Sequence, residues 1–190
     1  ITVIAAIVII FSVIQFTLWR YVSKVDEEYI CKNVFIGKTD VSGMTKEEAV
    51  KAVDNTLGDY RNKQLVLKVK DQGADVSIEE MGAEVENIDK LAEKAVGYGK
   101  NGSIWSRYQK IHNLDKKKYV IDESFKVDEA KLRELIQERA VPLEQKAVNA
   151  SASYNGSGFD LTDEAEGYTV DVDKSVKKIK NFMNKKWNYE

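Results

Sequence analysis

Hydrophobic residues occupy the first part of the chain almost without interruption, from Ile1 to Trp19. The few polar members of this run are uncharged, and the first charged residue is Arg20. A helix of about 19 residues rises ~28 Å, close to the thickness of a bilayer's hydrocarbon core. Trp19 and Tyr21 would then lie at the headgroup level, where aromatic side chains concentrate in membrane proteins. We therefore predict a transmembrane helix within residues 1–22, with the lipid bilayer as a partner through Ile1–Trp19.

Two alternatives to a retained anchor exist for this run. A buried core helix is the first alternative, but the core of a soluble protein rarely needs a run this long without a polar face. A cleaved signal peptide is the second alternative, but no A-x-A-like cleavage motif follows the run. These residues do not determine on which side of the membrane the rest of the chain lies.

Beyond this run, apolar residues either alternate with polar ones over short segments or recur at helical spacing. Val34–Ile36 alternates as a short strand. Thr45 and Glu48 form a T-x-x-E capping box, which predicts the start of a helix. Alternation over residues 65–78, interrupted by turn residues at 71–73, predicts a β-hairpin with one solvated face. A second helix with a hydrophobic face follows this hairpin.

The C-terminal part of the chain repeats this order of elements. Asp128 caps a helix that stops before Pro142, alternating residues flank Asn155-Gly156 as a hairpin turn, and Asp173 begins a last helix. We predict an α+β fold in which the transmembrane helix precedes two related helix–β-hairpin–helix units, although similar periodicity by chance is an alternative. The predicted domains are the anchor at 1–22, a first module at 23–115 and a second, related module at 116–190.

Composition narrows the possible functions. The chain has 29 basic and 31 acidic side chains and a formal net charge of −2, so no electrostatic footprint for nucleic acid is present. Cys31 is the only cysteine, which excludes an internal disulfide and a cysteine-rich metal site. His112 is the only histidine and has no recognisable acidic partner in the sequence, so neither a His-based zinc site nor a Cys–His nucleophile is expected. We expect no cofactor and no metal.

Two motifs resemble catalytic or nucleotide-binding signatures. Residues 97–102 read G-x-G-x-x-G, but the dinucleotide fingerprint requires a preceding strand, and here a helix precedes the glycines. Ser175 and Lys178 form S-x-x-K, but neither S-D-N nor K-T-G completes an acyl-enzyme site, and Ser175 is expected on the solvated flank of the last helix. We therefore predict a chain without a catalytic site.

A longer stretch carries a family resemblance. The segment N-V-F-I-G-K-T-D-V-S-G-M-T-K-E-E-A at residues 33–49 resembles the opening of the peptidoglycan-binding modules found ahead of VanW-like (vancomycin-resistance accessory) domains and of some L,D-transpeptidases. The likeness continues through Met81-Gly82 and the helix at 89–96. Residues 97–108 are similar to that family's A-x-x-x-G-R-x-G region, with Lys100 in place of the usual arginine, and 163–172 resembles its segment before the final helix.

The resemblance implies a bacterial, single-pass membrane protein whose soluble part lies outside the cytoplasm and binds or spaces peptidoglycan or another cell-wall glycan. Details of residues 97–108 are more similar to the VanW-like arrangement. Two alternatives stay open: a non-catalytic N-terminal part of an L,D-transpeptidase involved in peptidoglycan cross-linking, and a purely structural interaction domain. The sequence contains nothing like the transpeptidase S-H-G-C signature, so the resemblance implies no activity here.

Physical chemistry indicates where a glycan strand would bind. Sugar faces stack on aromatic rings, and carboxylates of the peptide stems pair with lysine or arginine. One short stretch around a predicted helix at 103–113 supplies these groups, which gives the candidate ligand-binding residues Tyr98, Asn101, Trp105, Arg107 and Tyr108. The alternative is that Trp105 and Tyr108 pack in a core between the modules. Lys116–Lys118, beyond this helix, is predicted to be a solvated linker.

Overall fold

The structure, a computed structural model, describes residues 2–185, 187 and 189. Ile1, at the start of the predicted anchor, and Glu190, at the end of the predicted second module, lie outside the described residues. The described part contains six α-helices and small β-sheets, which confirms the predicted α+β class. In chain order the elements are α1 (Thr2–Val22), β1 (Val34–Ile36), β2 (Thr39–Asp40), α2 (Lys46–Asp59), β3 (Gln64–Val69), β4 (Gln72–Ser77), β5 (Glu84–Val85), α3 (Ile88–Gly97), α4 (Ile104–Asn113), β6 (Tyr119–Ile121), β7 (Phe125–Lys126), α5 (Glu129–Leu135), a π-helical turn (Ile136–Ala140), a 3-10 turn (Val141–Leu143), β8 (Ser151–Tyr154), β9 (Phe159–Thr162) and α6 (Val172–Lys185).

Helix α1 contains a segment, Val3–Val22, that is long and apolar enough to cross a membrane. From Val3 to Phe16 its large apolar side chains are 48–70% exposed, so the protein itself does not cover them. Apolar side chains on this scale favour removal from water, and a bilayer would supply that environment. The helix is therefore a candidate membrane span.

The chain divides into two compact units, each assembled from separate segments. Unit 1 consists of Ile1–Gly58 and Val85–Ser124, and unit 2 consists of Asp59–Glu84 and Phe125–Glu190. The predicted modules, 23–115 and 116–190, each contribute segments to both units.

Unit 1 is built around a small mixed sheet. Strand β1 pairs antiparallel with β2 and parallel with β6, so that Val34 is opposite Tyr119 and Ile36 is opposite Ile121. Strand β6 was not predicted from the sequence, because this strand is only three residues long and follows a lysine-rich stretch. The buried side chains of this unit come mainly from the sheet and from α2 and α3: Val34, Ile36, Val41, Ala49, Val53, Leu57, Ala92, Ala95 and Ile121.

The predicted capping box of α2 is confirmed. The backbone N–H of Thr45 donates to the Glu48 carboxylate (2.9 Å), and the N–H of Glu48 donates to the Thr45 hydroxyl (3.3 Å). These reciprocal bonds satisfy two amide donors that the first turn of a helix otherwise leaves without partners.

Unit 2 contains two antiparallel hairpins whose turns differ from the predicted ones. In the β3–β4 hairpin Val69 is opposite Gln72, so the turn is Lys70-Asp71, one residue earlier than predicted. In the β8–β9 hairpin Tyr154 is opposite Phe159. The predicted two-residue Asn-Gly turn is therefore wrong, because the connection is a four-residue loop. The Asn155 side-chain oxygen holds this loop by accepting from the N–H groups of residues 157 and 158 (3.1 and 2.9 Å).

The first turns of α5 and α6 in unit 2 are each capped by an aspartate, but only the α5 cap is the predicted residue. Asp128 caps α5 by accepting from the N–H groups of Ala130 and Lys131 (2.9 and 3.2 Å), as expected. Helix α5 and the π-helical turn end before Pro142, as predicted, and Pro142 lies near the start of the separate 3-10 turn. Helix α6 is capped by Asp171, whose carboxylate accepts from the N–H of Lys174 (2.9 Å), rather than by Asp173 as predicted.

An arginine joins the π-helical turn to β4. Arg139 forms an ion pair with Glu80 and donates to the carbonyl oxygen of Asp75 (2.6 Å). The N–H and hydroxyl of Ser77 also donate to the Glu80 carboxylate (2.7 and 2.9 Å). The Arg139 hydrogen bond, followed by those from Ser77, lowers the pKa of Glu80 to about 2. Arg139 therefore contacts the outer edge of β4 at Asp75.

Candidate functional site

Trp105, the most exposed aromatic side chain among the five candidate residues, lies on α4. Trp105, Tyr108 and His112 follow one another at three- and four-residue spacing, which places them on one side of a helix. Their rings stack in sequence, with centroids 5.8 Å apart for Trp105–Tyr108 and 5.5 Å apart for Tyr108–His112. We call these three residues the α4 aromatic face. The predicted short helix is confirmed, and Ser103 caps it by accepting from the N–H of Ser106 (3.3 Å).

The α4 aromatic face adjoins the C-terminal end of the candidate span. The Tyr108 ring packs edge-on against Tyr21 of α1, with centroids 5.0 Å apart. Trp105 is 55% exposed, so it is not a core residue, whereas Tyr108 is half-buried. A partly exposed indole stacked on a tyrosine presents an apolar ring surface with polar rims, which suits a sugar face.

Tyr98 belongs to a different cluster. It stacks face to face on Tyr119 of β6 at 3.7 Å between centroids, and the Lys110 ammonium lies 5.9 Å from its ring centre. Burial raises the pKa of the Tyr98 hydroxyl, and the neighbouring Tyr119 adds to the effect. Tyr98 therefore acts as packing for β6 rather than as an open stacking surface.

The two polar candidates are partly used inside the unit. Arg107 donates to the carbonyl oxygen of Gly99 (3.4 Å) and lies 3.5 Å from the Glu27 carboxylate. Its guanidinium is thus already partnered and is not an open carboxylate receptor. Asn101 is exposed and makes one long contact with the carbonyl oxygen of Gly97 (3.5 Å). The structure brings Trp105 and Tyr108 together and gives Tyr98 and Arg107 other partners.

The glycine-rich loop between α3 and α4 has a structural role. Gly97 ends α3 as predicted, and Gly99 adopts a φ of +80°. A Cβ atom on Gly99 would lie 2.9 Å from the Ile111 side chain, so both conformation and space favour glycine there. This loop does not follow a strand, which agrees with the rejection of a dinucleotide fingerprint.

Lys100, which sequence analysis noted only as a departure from a family pattern, is buried. Its ammonium donates to the carbonyl oxygens of Glu27 (2.9 Å) and Tyr29 (2.7 Å). Beside it, the Cys31 thiol contacts the carbonyl oxygen of Tyr98 (3.4 Å), and burial raises the pKa of that thiol. The segment after α1 is therefore held against unit 1 and is not a free linker.

His112 has an acidic neighbour that sequence analysis did not find. Its Nδ1 lies 3.7 Å from the Asp115 carboxylate, which also pairs with Lys32 (2.5 Å). The expectation that His112 lacks an acidic partner is wrong, because one helical turn brings the two side chains together. Among the described residues, no three His, Cys, Asp or Glu side chains converge as a metal site.

Unit 2 contains a second candidate, an open apolar groove of about 490 Å³. Five consecutive residues of β3 form one side, and residues of α6 form the other side. We call this the β3–α6 groove, and it is lined by Leu65, Val66, Leu67, Lys68, Val69, Met81, Ile136, Ala140, Val170, Ser175, Lys178, Ile179 and Phe182. Ser175 is half-buried and belongs to this lining. The three-residue spacing of Ser175 and Lys178 indicates only that they share one face of α6, and it gives no sign of β3 on the other side of the groove.

The sequence matches the model of a known protein family. A family model described as "Putative peptidoglycan binding domain" matches residues 74–190, which is more than half of the chain. The chain belongs to this family. The peptidoglycan-binding match includes α4 and α6, whereas β3 and the opening segment at 33–49 lie outside it. Searches of curated proteins and of solved structures gave no match. Membership of a peptidoglycan-binding family supports a role at the cell wall and an extracytoplasmic location.

Proposed function

We propose that this chain is a membrane-anchored, non-catalytic module that binds or spaces peptidoglycan, of the kind that precedes VanW-like domains. The observation that carries the proposal is the peptidoglycan-binding match over residues 74–190. The candidate span Val3–Val22 supports anchoring, and the family supports a location outside the cytoplasm. Two helix–hairpin–helix successions, α2 with β3–β4 and α3, then α5 with β8–β9 and α6, support two related modules within 23–115 and 116–190.

The orientation is tested by labelling a surface thiol on intact cells. The native Cys31 is a poor probe, because it is buried. Ser157 lies in the exposed β8–β9 loop, so the Cys31→Ala, Ser157→Cys variant offers an accessible thiol instead. We expect a membrane-impermeant maleimide to label this variant on intact cells. Labelling only after lysis would contradict an outward orientation.

Within this function, we propose that the α4 aromatic face stacks on the sugar rings, with Trp105 as the main contact and Tyr108 behind it. Exposed Asn101 would provide a polar contact, whereas Tyr98 stacks on Tyr119 and Arg107 pairs with Glu27, so we do not include these two in the binding surface. Aromatic stacking contributes about 0.5–1.5 kcal/mol per ring pair. Loss of the indole should therefore weaken glycan binding roughly 3- to 10-fold.

Pull-down with purified sacculi tests this site on the full chain in detergent micelles. We expect Trp105→Ala, alone or with Tyr108→Ala, to bind more weakly than the wild type at an unchanged thermal midpoint for the single variant. Tyr154→Ala is the matched control, because Tyr154 is 67% exposed on the β8–β9 hairpin. Equal binding by Trp105→Ala and Tyr154→Ala would contradict the role of the α4 aromatic face.

A further inference from the structure

The β3–α6 groove has a free strand edge along one side. In an antiparallel hairpin, alternate residues direct their N–H and C=O groups away from the partner strand. The register Val69↔Gln72 makes Val69, Leu67 and Leu65 the bonded positions, so the backbone groups of Val66 and Lys68 face outward. Among the described residues, none forms a hydrogen bond with the outward groups of these two positions. On the outer edge of β4, by contrast, Arg139 donates to the carbonyl oxygen of Asp75.

Two lysines of the groove lining have no acidic partner among the described residues. Lys68 and Lys178 are both exposed and both line it, and neither forms an ion pair with a described residue. Val66 (54% exposed) and Phe182 (40% exposed) add apolar surface beside them. The Ser175 side chain contributes a hydroxyl group to the same lining. An apolar trough with cations and unpaired backbone groups suits a short extended peptide that carries carboxylates.

We propose that the β3–α6 groove binds the carboxylate-bearing peptide stem of peptidoglycan. This inference rests on the proposed wall-binding function and assigns the peptide part of the polymer to unit 2. The carboxylates of the peptide stem would pair with Lys68 and Lys178, and its methyl side chains would lie on Val66 and Phe182. The backbone amides of the stem would form hydrogen bonds with the outer edge of β3. A volume of about 490 Å³ lies within the usual range for small-ligand sites.

The test compares two lysines that are adjacent in sequence. Lys178 lines the groove, whereas Lys177 is also exposed, does not line it and has no ion-pair partner among the described residues. The full chain in detergent micelles is titrated with intact sacculi and with sacculi from which an amidase has removed the peptide stems. We expect the wild type to bind stem-free glycan more weakly than intact sacculi. Because solvent screens such pairs, Lys178→Glu should raise the Kd for intact sacculi only about 3- to 10-fold, with Lys177→Glu near the wild type.

A competition experiment identifies the recognised chemistry. A soluble muramyl peptide should displace the wild type from intact sacculi, and its carboxamide derivative should displace it less effectively. Equal binding to intact and stem-free sacculi, or equal effects of Lys178→Glu and Lys177→Glu, would overturn the groove assignment while wall binding stood. Displacement by an unrelated acidic peptide as effective as that by the muramyl peptide would instead assign the groove to a protein partner. Absence of any sacculus binding by the wild type would overturn the proposed function together with this inference.

Discussion

Replacing Lys100 with methionine should open the segment that follows the candidate membrane span. The substitution keeps most of the aliphatic stem but removes the two hydrogen bonds to the carbonyl oxygens of Glu27 and Tyr29. Hydrogen bonds to charged groups contribute about 1.5–3 kcal/mol each. Methionine avoids the cost of burying an ammonium group, which offsets part of this loss. We therefore expect a net loss of about 2–4 kcal/mol in the local opening free energy.

Amide hydrogen exchange on the full chain in detergent micelles measures this loss. The reporters are the N–H of Ile30, bonded to the carbonyl of Met44 (2.8 Å), and the N–H of Gly43, bonded to the carbonyl of Ile30 (2.9 Å). A loss of about 2–4 kcal/mol corresponds to a roughly 30- to 700-fold decrease in protection if local opening controls exchange. Lys100→Arg keeps a charged donor at this position and should retain most of the protection.

The matched control is Lys94→Met. Lys94 is exposed on α3 and forms no ion pair with a described residue, so its substitution should leave both reporter amides unchanged. Protection in Lys100→Met within about threefold of both the wild type and this control would refute the reasoning, since threefold is well under 1 kcal/mol. The two carbonyl bonds would then contribute little to holding the segment.

Three further outcomes follow from the same structure. Gly99→Ala should lower the thermal midpoint more than Gly43→Ala. Both positions have positive φ (+80° and +71°), but only Gly99 has a neighbour within 3 Å of the added Cβ. Equal shifts in the thermal midpoint would contradict a packing contribution at Gly99. Because the folded-state pKa of Glu80 is lowered to about 2, its stabilising effect is present above its ordinary pKa near 4.5 and is lost as pH falls towards 2. The difference in thermal midpoint between wild type and Glu80→Gln should therefore shrink over that interval, and a constant difference would contradict the ion pair with Arg139. Cys31 should react with a maleimide much more slowly in the folded chain than in urea, because burial raises its pKa; equal rates would show that it is accessible.

Local signals in the sequence were sufficient for much of the fold. The capping residues Thr45 and Asp128 act through side-chain bonds within one turn of helix, so their neighbours in sequence decide the outcome. The turns were predicted less accurately. The β3–β4 turn begins one residue earlier than predicted, at Lys70, because its position depends on the register of the whole hairpin. Strand β6 could not be predicted, since it exists only through its pairing with β1, more than 80 residues earlier in the chain.

The candidate site shows the same division between local and long-range effects. Trp105 and Tyr108 were predicted to share a helix face, and they do, because their spacing alone determines it. The partner of Arg107 could not be predicted, since Glu27 is brought to it by the fold. The β3–α6 groove was missed because it combines a strand and a helix that are about 100 residues apart in sequence.

The assembly of each unit from separate segments also affects the order in which the protein can fold during synthesis. The β3–β4 hairpin is complete once Ser77 has emerged, but α6, which forms the far side of its groove, begins only at Val172. At a translation rate of about 5–20 residues per second, roughly 5–20 s pass between completion of the hairpin and the start of α6. Unpaired strand edges invite association with other chains, and lysines on such an edge oppose it. We therefore expect Lys68 on β3 to oppose such association while the remainder of unit 2 is made.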